Sequence, residues 1–148
     1  MWTRYNVMLP EITYSQTSDG VDWNALKATL QDDHFDNGRT PEQLQRSFAN
    51  SQAVCFAWSE GRVVGKARLL SDGVCNAYLV DVWTHTPYRH RGIATQMIRL
   101  LLETVPGEHV YLQADADLVS FYKRIGFQEQ PHGLSCVVGR WLDNQSFG

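Results

Sequence analysis

The hydrophobic pattern of the chain changes its period near residue 92. Residues 77–84 form an apolar run rich in β-branched and aromatic side chains, which predicts a largely buried strand. Across residues 93–105 the apolar positions recur every three or four residues, and a Pro-Gly pair follows. This spacing predicts an amphipathic helix with a marked end. The stretch 89–94 therefore joins a buried strand to a helix.

This junction lacks the residues that usually cap a helix. Ser, Thr, Asp or Asn normally stands before the first turn and accepts hydrogen bonds from its free N–H groups. Here the positions are Arg89, His90, Arg91 and Gly92. The free donors and the positive end of the helix dipole are then available to an external anion. A basic surface turn with a water-capped helix is the alternative interpretation.

The same patterns predict the remaining elements and a mixed α/β layout, in which a strand-helix-strand unit follows an antiparallel hairpin. The polar stretch 33–39 is a candidate substrate lip. The expected elements are a strand at 11–14, a helix capped by Asp22, a helix opened by a Thr40-Pro41-Gln43 capping box, hairpin strands at 53–58 and 62–70, a strand at 109–114, a helix over 118–125 capped by Asp115 or Asp117 and ended by Gly126, and a last strand over 134–142.

Composition and charge bound the class of protein. A chain of 148 residues with 43% hydrophobic composition predicts a single domain over residues 1–148. A net charge of -3 argues against a general nucleic-acid or membrane-surface binder. The first ten residues do not resemble a signal peptide, and no apolar run is long enough to span a bilayer. We therefore expect a cytoplasmic protein.

The three cysteines, Cys55, Cys75 and Cys136, are scattered along the chain. They are interpreted as reduced core thiols, since neither a disulfide framework nor a metal-binding spacing is present. No Ser-His-Asp order stands out either, so hydrolase and metalloenzyme functions are disfavoured.

Two motifs resemble those of the GNAT family of acyl-CoA N-acyltransferases. Arg89, Gly92 and Ala94 match its phosphate-binding signature, and Tyr122 with Gly126-Phe127 matches its Tyr-x-x-x-Gly-Phe segment. The turn at Ser71-Asp72-Gly73 and the stretch 114–117 are similar to those of small bacterial and plastid-type members. The resemblance implies a mixed, mainly antiparallel central sheet flanked by helices, with a strand-helix-strand acyl-CoA-binding unit.

The resemblance also implies how acetyl-CoA, the expected co-substrate, is held. Pantetheine amides would pair with the backbone of β-strand residues, and the pyrophosphate would meet the amides that begin the following helix. Asp115 stands where many members carry an Asn that contacts the cofactor, which is a departure from the family pattern. The implied cofactor-binding residues are Val82, Trp83, Thr84, Arg89, His90, Arg91, Gly92, Ile93, Ala94 and Thr95.

Two residues are candidates for catalysis. Tyr122 matches the family's general acid, which would protonate the departing thiolate; a core tyrosine is the alternative. Asp81 is the candidate base, because burial among apolar neighbours would raise its pKa. Alternation would set its side chain opposite to those of Val80 and Val82. A structural Asp81 paired with an arginine or with backbone N–H groups is the competing interpretation.

The expected function is N-acetylation: the acetyl group moves from acetyl-CoA to a primary amine by direct attack in a ternary complex. The acceptor would be a small-molecule amine or a protein amine, with no nucleic acid, membrane or metal involved. A homodimer is a family expectation. The alternative from another class is a non-catalytic CoA-binding sensor or interaction module.

Overall fold

The computed structural model describes residues 9–143, which form a five-stranded sheet in sequential order. The first four strands pair antiparallel, and the fifth joins the fourth in parallel across a helix. This confirms the expected mixed, mainly antiparallel sheet. The strands are β1 Thr13–Ser15, β2 Ala53–Ser59, β3 Arg62–Ser71, β4 Asn76–Thr84 and β5 His109–Tyr111, and the helices are α1 Trp23–Asp32, α2 Pro41–Ala49, α3 Ile93–Leu102 and α4 Val119–Arg124.

The first two helices begin where the sequence predicts. The Asp22 carboxylate accepts from the Ala25 backbone N–H at 3.0 Å and caps α1. Thr40 caps α2, and the Gln43 side chain accepts in return from the Thr40 backbone N–H, which completes the capping box. Local hydrogen bonding therefore fixes both helix starts.

The sheet separates two apolar cores. One lies between the sheet and α3 and includes Leu79, Ile93, Met97 and Leu101. The other lies under α1 and α2 and includes Leu30, Phe48, Phe56 and Trp83. Alternate residues of β2 supply both cores, as expected for a central strand covered on its two faces.

Gly65 in β3 lets α3 pack close to the sheet. A Cβ placed at this position would lie 3.1 Å from the Met97 methyl group and 3.2 Å from Ala57 and Ile93 atoms. Those contacts are tighter than a side chain tolerates without movement of its neighbours. The lack of a side chain at Gly65 therefore allows the start of α3, which contains the candidate anion site, to pack directly against the strand.

The C-terminal third departs most from the sequence expectations. The strand expected at 109–114 ends at Tyr111, and the last helix covers only Val119–Arg124, with neither Asp115 nor Asp117 as its cap. Gly126 does end that helix, with φ at +110°. The predicted strand over 134–142 is wrong, because these residues lie outside the sheet.

The failed strand shows why alternation alone is insufficient. Leu134 is 95% exposed and Val138 is 91% exposed, so neither reaches an apolar face. A strand needs a paired edge and a core to cover, and in the part of the chain that is described this segment has neither.

The prediction that all three cysteines are core thiols is wrong for two of them: Cys55 is buried, but Cys75 and Cys136 are exposed. No helix within residues 9–143 is long and apolar enough to cross a membrane.

Candidate acetyl-CoA and acceptor site

The edge of β4 that faces β5 is open over most of its length. The two strands pair only from Asn76 to Tyr78, opposite His109–Tyr111. Beyond that point, residues 79–84 of β4 have no strand partner on this side among the described residues. An extended amide-containing ligand can add to such an edge as another strand would. The open edge includes Val82, Trp83 and Thr84, and their contact with pantetheine stays a prediction.

The helix that follows this open edge begins without a side-chain cap. Gly92 is the N-cap residue of α3, with φ at +77°, and no side chain within residues 9–143 accepts from the first turn. The first intrahelical bond runs from the Gln96 N–H to the Gly92 carbonyl at 3.0 Å. The amides of Ile93, Ala94 and Thr95 precede it and have no partner among the described residues, so they are available to an anion. The α3 start therefore fits a CoA pyrophosphate.

The two arginines of this turn have partners within the chain. Arg89 donates from Nε to the Thr84 carbonyl at 3.1 Å, and its Nη2 lies 3.7 Å from an Asp33 carboxylate oxygen. The Arg91 guanidinium stacks over the Tyr88 ring, 5.3 Å from its centre. Arg89 thus ties the turn to the end of β4, and the backbone amides supply the donors for an anion.

Asp33, the C-cap residue of α1, anchors the end of β4. It accepts from the Trp83 indole at 2.9 Å and from the Thr86 N–H at 3.2 Å. Burial acts to raise the pKa of Asp33, but these hydrogen bonds outweigh it and leave the pKa below its usual value. Trp83 is 2% exposed and belongs to the core under α1 and α2.

A β-bulge reorients Asp81. Arg68 pairs with Val80 and Lys66 pairs with Trp83, so two β4 residues lie opposite one β3 residue. Asp81 has a φ of +61°, and its carboxylate bonds to Arg68, on the face that Val80 shares. The expectation that alternation sets Asp81 opposite Val80 is wrong because of this bulge.

Three cations surround the Asp81 carboxylate. Arg39 donates to it through both terminal nitrogens, at 2.9 and 2.8 Å, and the Arg68 Nε also donates to it. The Lys66 Nζ lies 3.5 Å from a carboxylate oxygen and donates to the Asp81 backbone carbonyl at 3.3 Å. The exposed side-chain fraction ranges from 0% for Lys66 to 15% for Arg68. We call these four residues the Asp81 cluster.

The environment of the cluster lowers the pKa values of Asp81 and Lys66. Burial alone would raise the pKa of Asp81, but the charge of Lys66 and the hydrogen bonds from Arg39 and Arg68 hold it well below its usual value. Burial lowers the pKa of Lys66 to about 8. The prediction of a raised pKa for Asp81 is therefore wrong, and the paired-carboxylate interpretation fits the contacts. A carboxylate with a lowered pKa is a weak base.

The stretch expected to be a substrate lip covers this cluster. Its Phe35 ring is 41% exposed and lies 5.2 Å from the Lys66 Nζ, while the Phe48 ring lies 5.6 Å from the same atom on the core side. Asn37 accepts from the Arg39 Nε at 3.0 Å. The α1–α2 loop therefore supplies both a cation of the cluster and its aromatic cover.

Tyr122 lies on the other face of the sheet. It is 9% exposed within the core under α3, and its ring meets Phe121 and Phe127 edge to face, at 5.0 and 5.8 Å between ring centres. Burial raises the pKa of Tyr122 above its usual value, which itself lies well above neutral pH. Over residues 9–143 that hydroxyl makes no hydrogen bond. The structure does not bring Tyr122 and Asp81 together on one face.

Sequence reasoning missed Arg39, Lys66 and Arg68. A signal existed for two of them, because Lys66 and Arg68 are charged residues two apart within an apolar strand, and therefore share a face. No pattern pointed to Arg39, which reaches Asp81 across 42 residues of sequence. Asp115, the departure from the family pattern, is exposed and begins the 3-10 turn at Ala116–Leu118.

Comparison with known proteins agrees with this geometry. The family model for the acetyltransferase (GNAT) family matches residues 23–127. Serotonin N-acetyltransferase 2, chloroplastic, from rice is 29% identical over 126 residues, which cover 80% of this chain and 62% of that protein. Histone acetyltransferase TAP1 from soybean is 33% identical over 86 residues, or 56% of this chain and 36% of that protein.

Solved structures agree as well. An acetyltransferase structure from Deinococcus radiodurans superposes with a TM-score of 0.71 at 27% identity, and the match covers 84% of this chain and 87% of that one. The chain belongs to the GNAT acetyltransferase family. Its relatives include a cyanobacterial N-acetyltransferase from Prochlorococcus marinus, 28% identical over 113 residues, so the similarity to bacterial and plastid-type members is confirmed. The cytoplasmic location and the homodimer remain predictions.

Proposed function

We propose that this protein is an N-acetyltransferase, acting as one domain, that moves the acetyl group of acetyl-CoA to a primary amine. The observation that carries the proposal is the open edge of β4 leading directly into the uncapped start of α3. A chain of amides ending in a pyrophosphate matches that sequence of backbone groups in order. The proposed contacts are the backbone of Val82–Thr84 and the amides of residues 91–95.

The transfer needs one bond to form and one to break. The amine nitrogen attacks the thioester carbonyl, the carbon–sulfur bond breaks, and the thiolate leaves. We assign Tyr122 as the group that gives the thiolate its proton. Support comes from a hydroxyl that is protonated at neutral pH and makes no hydrogen bond within the described residues. Its position at the motif shared with the family agrees with this role.

The amine must also lose a proton, and the low pKa of Asp81 makes this carboxylate unsuited to accept it. A primary ammonium with a pKa near ~10 is mostly protonated at neutral pH. Positive charge nearby lowers an ammonium pKa, because it disfavours the charged form. We propose that the cations of the Asp81 cluster favour the neutral amine, and that water takes the proton. Asp81 then acts by holding those cations in place.

Acetyl-CoA titration and a thiol-release assay test the function. Calorimetry should show one acetyl-CoA site on the full chain, and a panel of primary amines should include acceptors that release CoA in the presence of protein. Absence of acetyl-CoA binding would refute the proposal. Binding without turnover on any amine would instead point to a CoA-binding sensor.

A further inference from the structure

The Asp81 cluster contains more positive than negative charge. Arg39, Lys66 and Arg68 are three cations, and Asp81 is the one carboxylate bonded to them among the described residues. Nearby carboxylates are committed elsewhere: Asp36 pairs with Lys27, and Asp33 binds the end of β4. Buried charge without a counter-ion is costly. This surplus indicates that an anion completes the site.

A shallow pocket beside the cluster has the right chemistry to receive one. Its volume is about 170 Å³, and Arg39 lines both the pocket and the cluster. The lining offers guanidinium, amide and hydroxyl groups and no carboxylate. The lining residues are Arg39, Gln43, Arg46, Ser47, Asn50 and Leu142.

Arg46 is a cation of this pocket that has no charged partner among residues 9–143. Its side chain is exposed, and it makes no ion pair or side-chain hydrogen bond within residues 9–143. The other arginine, Arg39, is already bonded to Asp81 and Asn37, so it contributes charge and orientation. Arg46 can therefore bind an incoming anion without first losing a partner.

We propose that the acceptor of this acetyltransferase carries an anionic group in addition to its amine, and that the pocket at Arg46 binds that group. The proposal rests on the proposed function. The pocket volume of about 170 Å³ is below the roughly 300–1,000 Å³ of a pocket that encloses a drug-sized ligand. It therefore suits a small group, such as a carboxylate or a phosphate with its neighbouring carbons. Arg39 lines this pocket and also binds Asp81 in β4, the strand whose open edge is the proposed acetyl-CoA site.

An anionic group also resolves a conflict in the site. A plain diamine or arylalkylamine approaches as a cation and is repelled by the surplus charge. In an amine with an anionic group, the anion is attracted by this charge and offsets the repulsion, while the ammonium still meets the cations that favour its deprotonation. The site therefore selects against acceptors that carry only positive charge.

Matched amine pairs test this selection directly. We expect tryptophan over tryptamine, lysine over cadaverine, and phosphoethanolamine over ethanolamine, with kcat/KM higher by roughly tenfold or more for the favoured anionic member. Preference within the carboxylate pairs or within the phosphate pair identifies the anion. Equal or better use of the three plain amines would overturn the proposal.

Two arginine variants locate the effect. Arg46→Ala should raise KM for the preferred anionic amine by roughly tenfold and leave kcat within about twofold, because the lost contact is in binding. Arg62→Ala, an exposed arginine on the β2–β3 hairpin, should change neither. An Arg46→Ala variant that keeps the wild-type KM would assign the selection to another site and refute the pocket.

Direct binding separates this inference from the proposed function. The same six amines are titrated calorimetrically into the wild-type protein and Arg46→Ala, with and without coenzyme A. Binding of an anionic amine that Arg46→Ala weakens supports the anion pocket even if no acetyl group is transferred. Turnover of amines with no preference for an anionic group leaves the acetyltransferase assignment in place and refutes the pocket.

Discussion

The two halves of the candidate site are built differently. The proposed cofactor side, from Thr84 to Thr95, would use backbone amides of one continuous stretch that includes the N-cap Gly92 of α3. The acceptor side uses side chains from the α1–α2 loop, β3 and β4, which meet at Asp81. Backbone amides suit a group that is the same in every family member. Side chains from separate elements suit an acceptor that differs between members.

This difference predicts where the molecule tolerates change. Loss of one side chain on the cofactor side leaves the amide donors in place. Loss of one on the acceptor side leaves buried charges unbalanced. The following variants examine the contrast, from the largest expected effect to the smallest.

Asp81→Asn should cost the most stability. It removes the carboxylate that three buried cations share, and breaking such a buried arrangement costs about 3–5 kcal/mol. Urea unfolding followed by circular dichroism measures the change. Asp19→Asn, at an exposed position, should cost less than about 0.5 kcal/mol. Equal losses in the two variants would show that the cluster is not held together by Asp81.

Tyr122→Phe should give the largest loss of kcat among these variants and leave the stability of the fold almost unchanged. Removal of a general acid lowers kcat by about 10² or more. Stability should hardly change, because within the described residues no hydrogen bond to the hydroxyl is lost. Steady-state kinetics with saturating acetyl-CoA measures kcat, and Tyr111→Phe, at an exposed tyrosine, is the control. A variant with wild-type kcat would make Tyr122 a core residue only.

Gly92→Ala should separate strain from ligand binding. Both Gly92 and Gly107 have positive φ, at +77° and +81°, and neither would have a Cβ contact within 4 Å. Alanine at either position should cost about 1–2 kcal/mol of stability from backbone strain. Only Gly92→Ala should also weaken coenzyme A binding, which calorimetry measures. Equal binding by the two variants would move the pyrophosphate away from the α3 start.

Lys66 should make the free energy of unfolding depend on pH. Its pKa is about 8 in the folded protein and 10.5 in the unfolded chain, so between these values the unfolded state binds more protons. Stability then rises with pH across that window, as the cost of burying the ammonium is relieved. Lys66→Met should remove this rise, and Lys123→Met, at an exposed lysine, should keep it. Unfolding free energies at pH 7.5 to 10 measure it.

Much of the fold was accessible from local pattern. Asp22 and the Thr40 capping box mark helix starts through contacts three residues apart, and the continuous apolar run of β2 is typical of a strand buried on both faces. The prediction of a strand over 134–142 failed because a strand also needs contacts with distant residues. Its pattern is compatible with a strand, but pairing and burial depend on neighbours distant in sequence.

The candidate site divides along the same line. The uncapped glycine turn and Tyr122 were identified from residues adjacent in sequence. The pKa of Asp81 was predicted in the wrong direction, because burial was visible in the sequence and its three partners were not. The bulge that turns Asp81 toward Arg68 likewise depends on the register between two strands.

The sequence by itself determined most of the elements, the strand-to-helix turn without a capping side chain and the family, because each depends on short-range spacing and on intrinsic backbone preferences. Only the tertiary structure decided the environment of Asp81, the open edge of β4 and the pocket at Arg46. These features arise where segments far apart in the chain meet. Electrostatic energy depends on the distances between those segments, which a linear pattern does not contain.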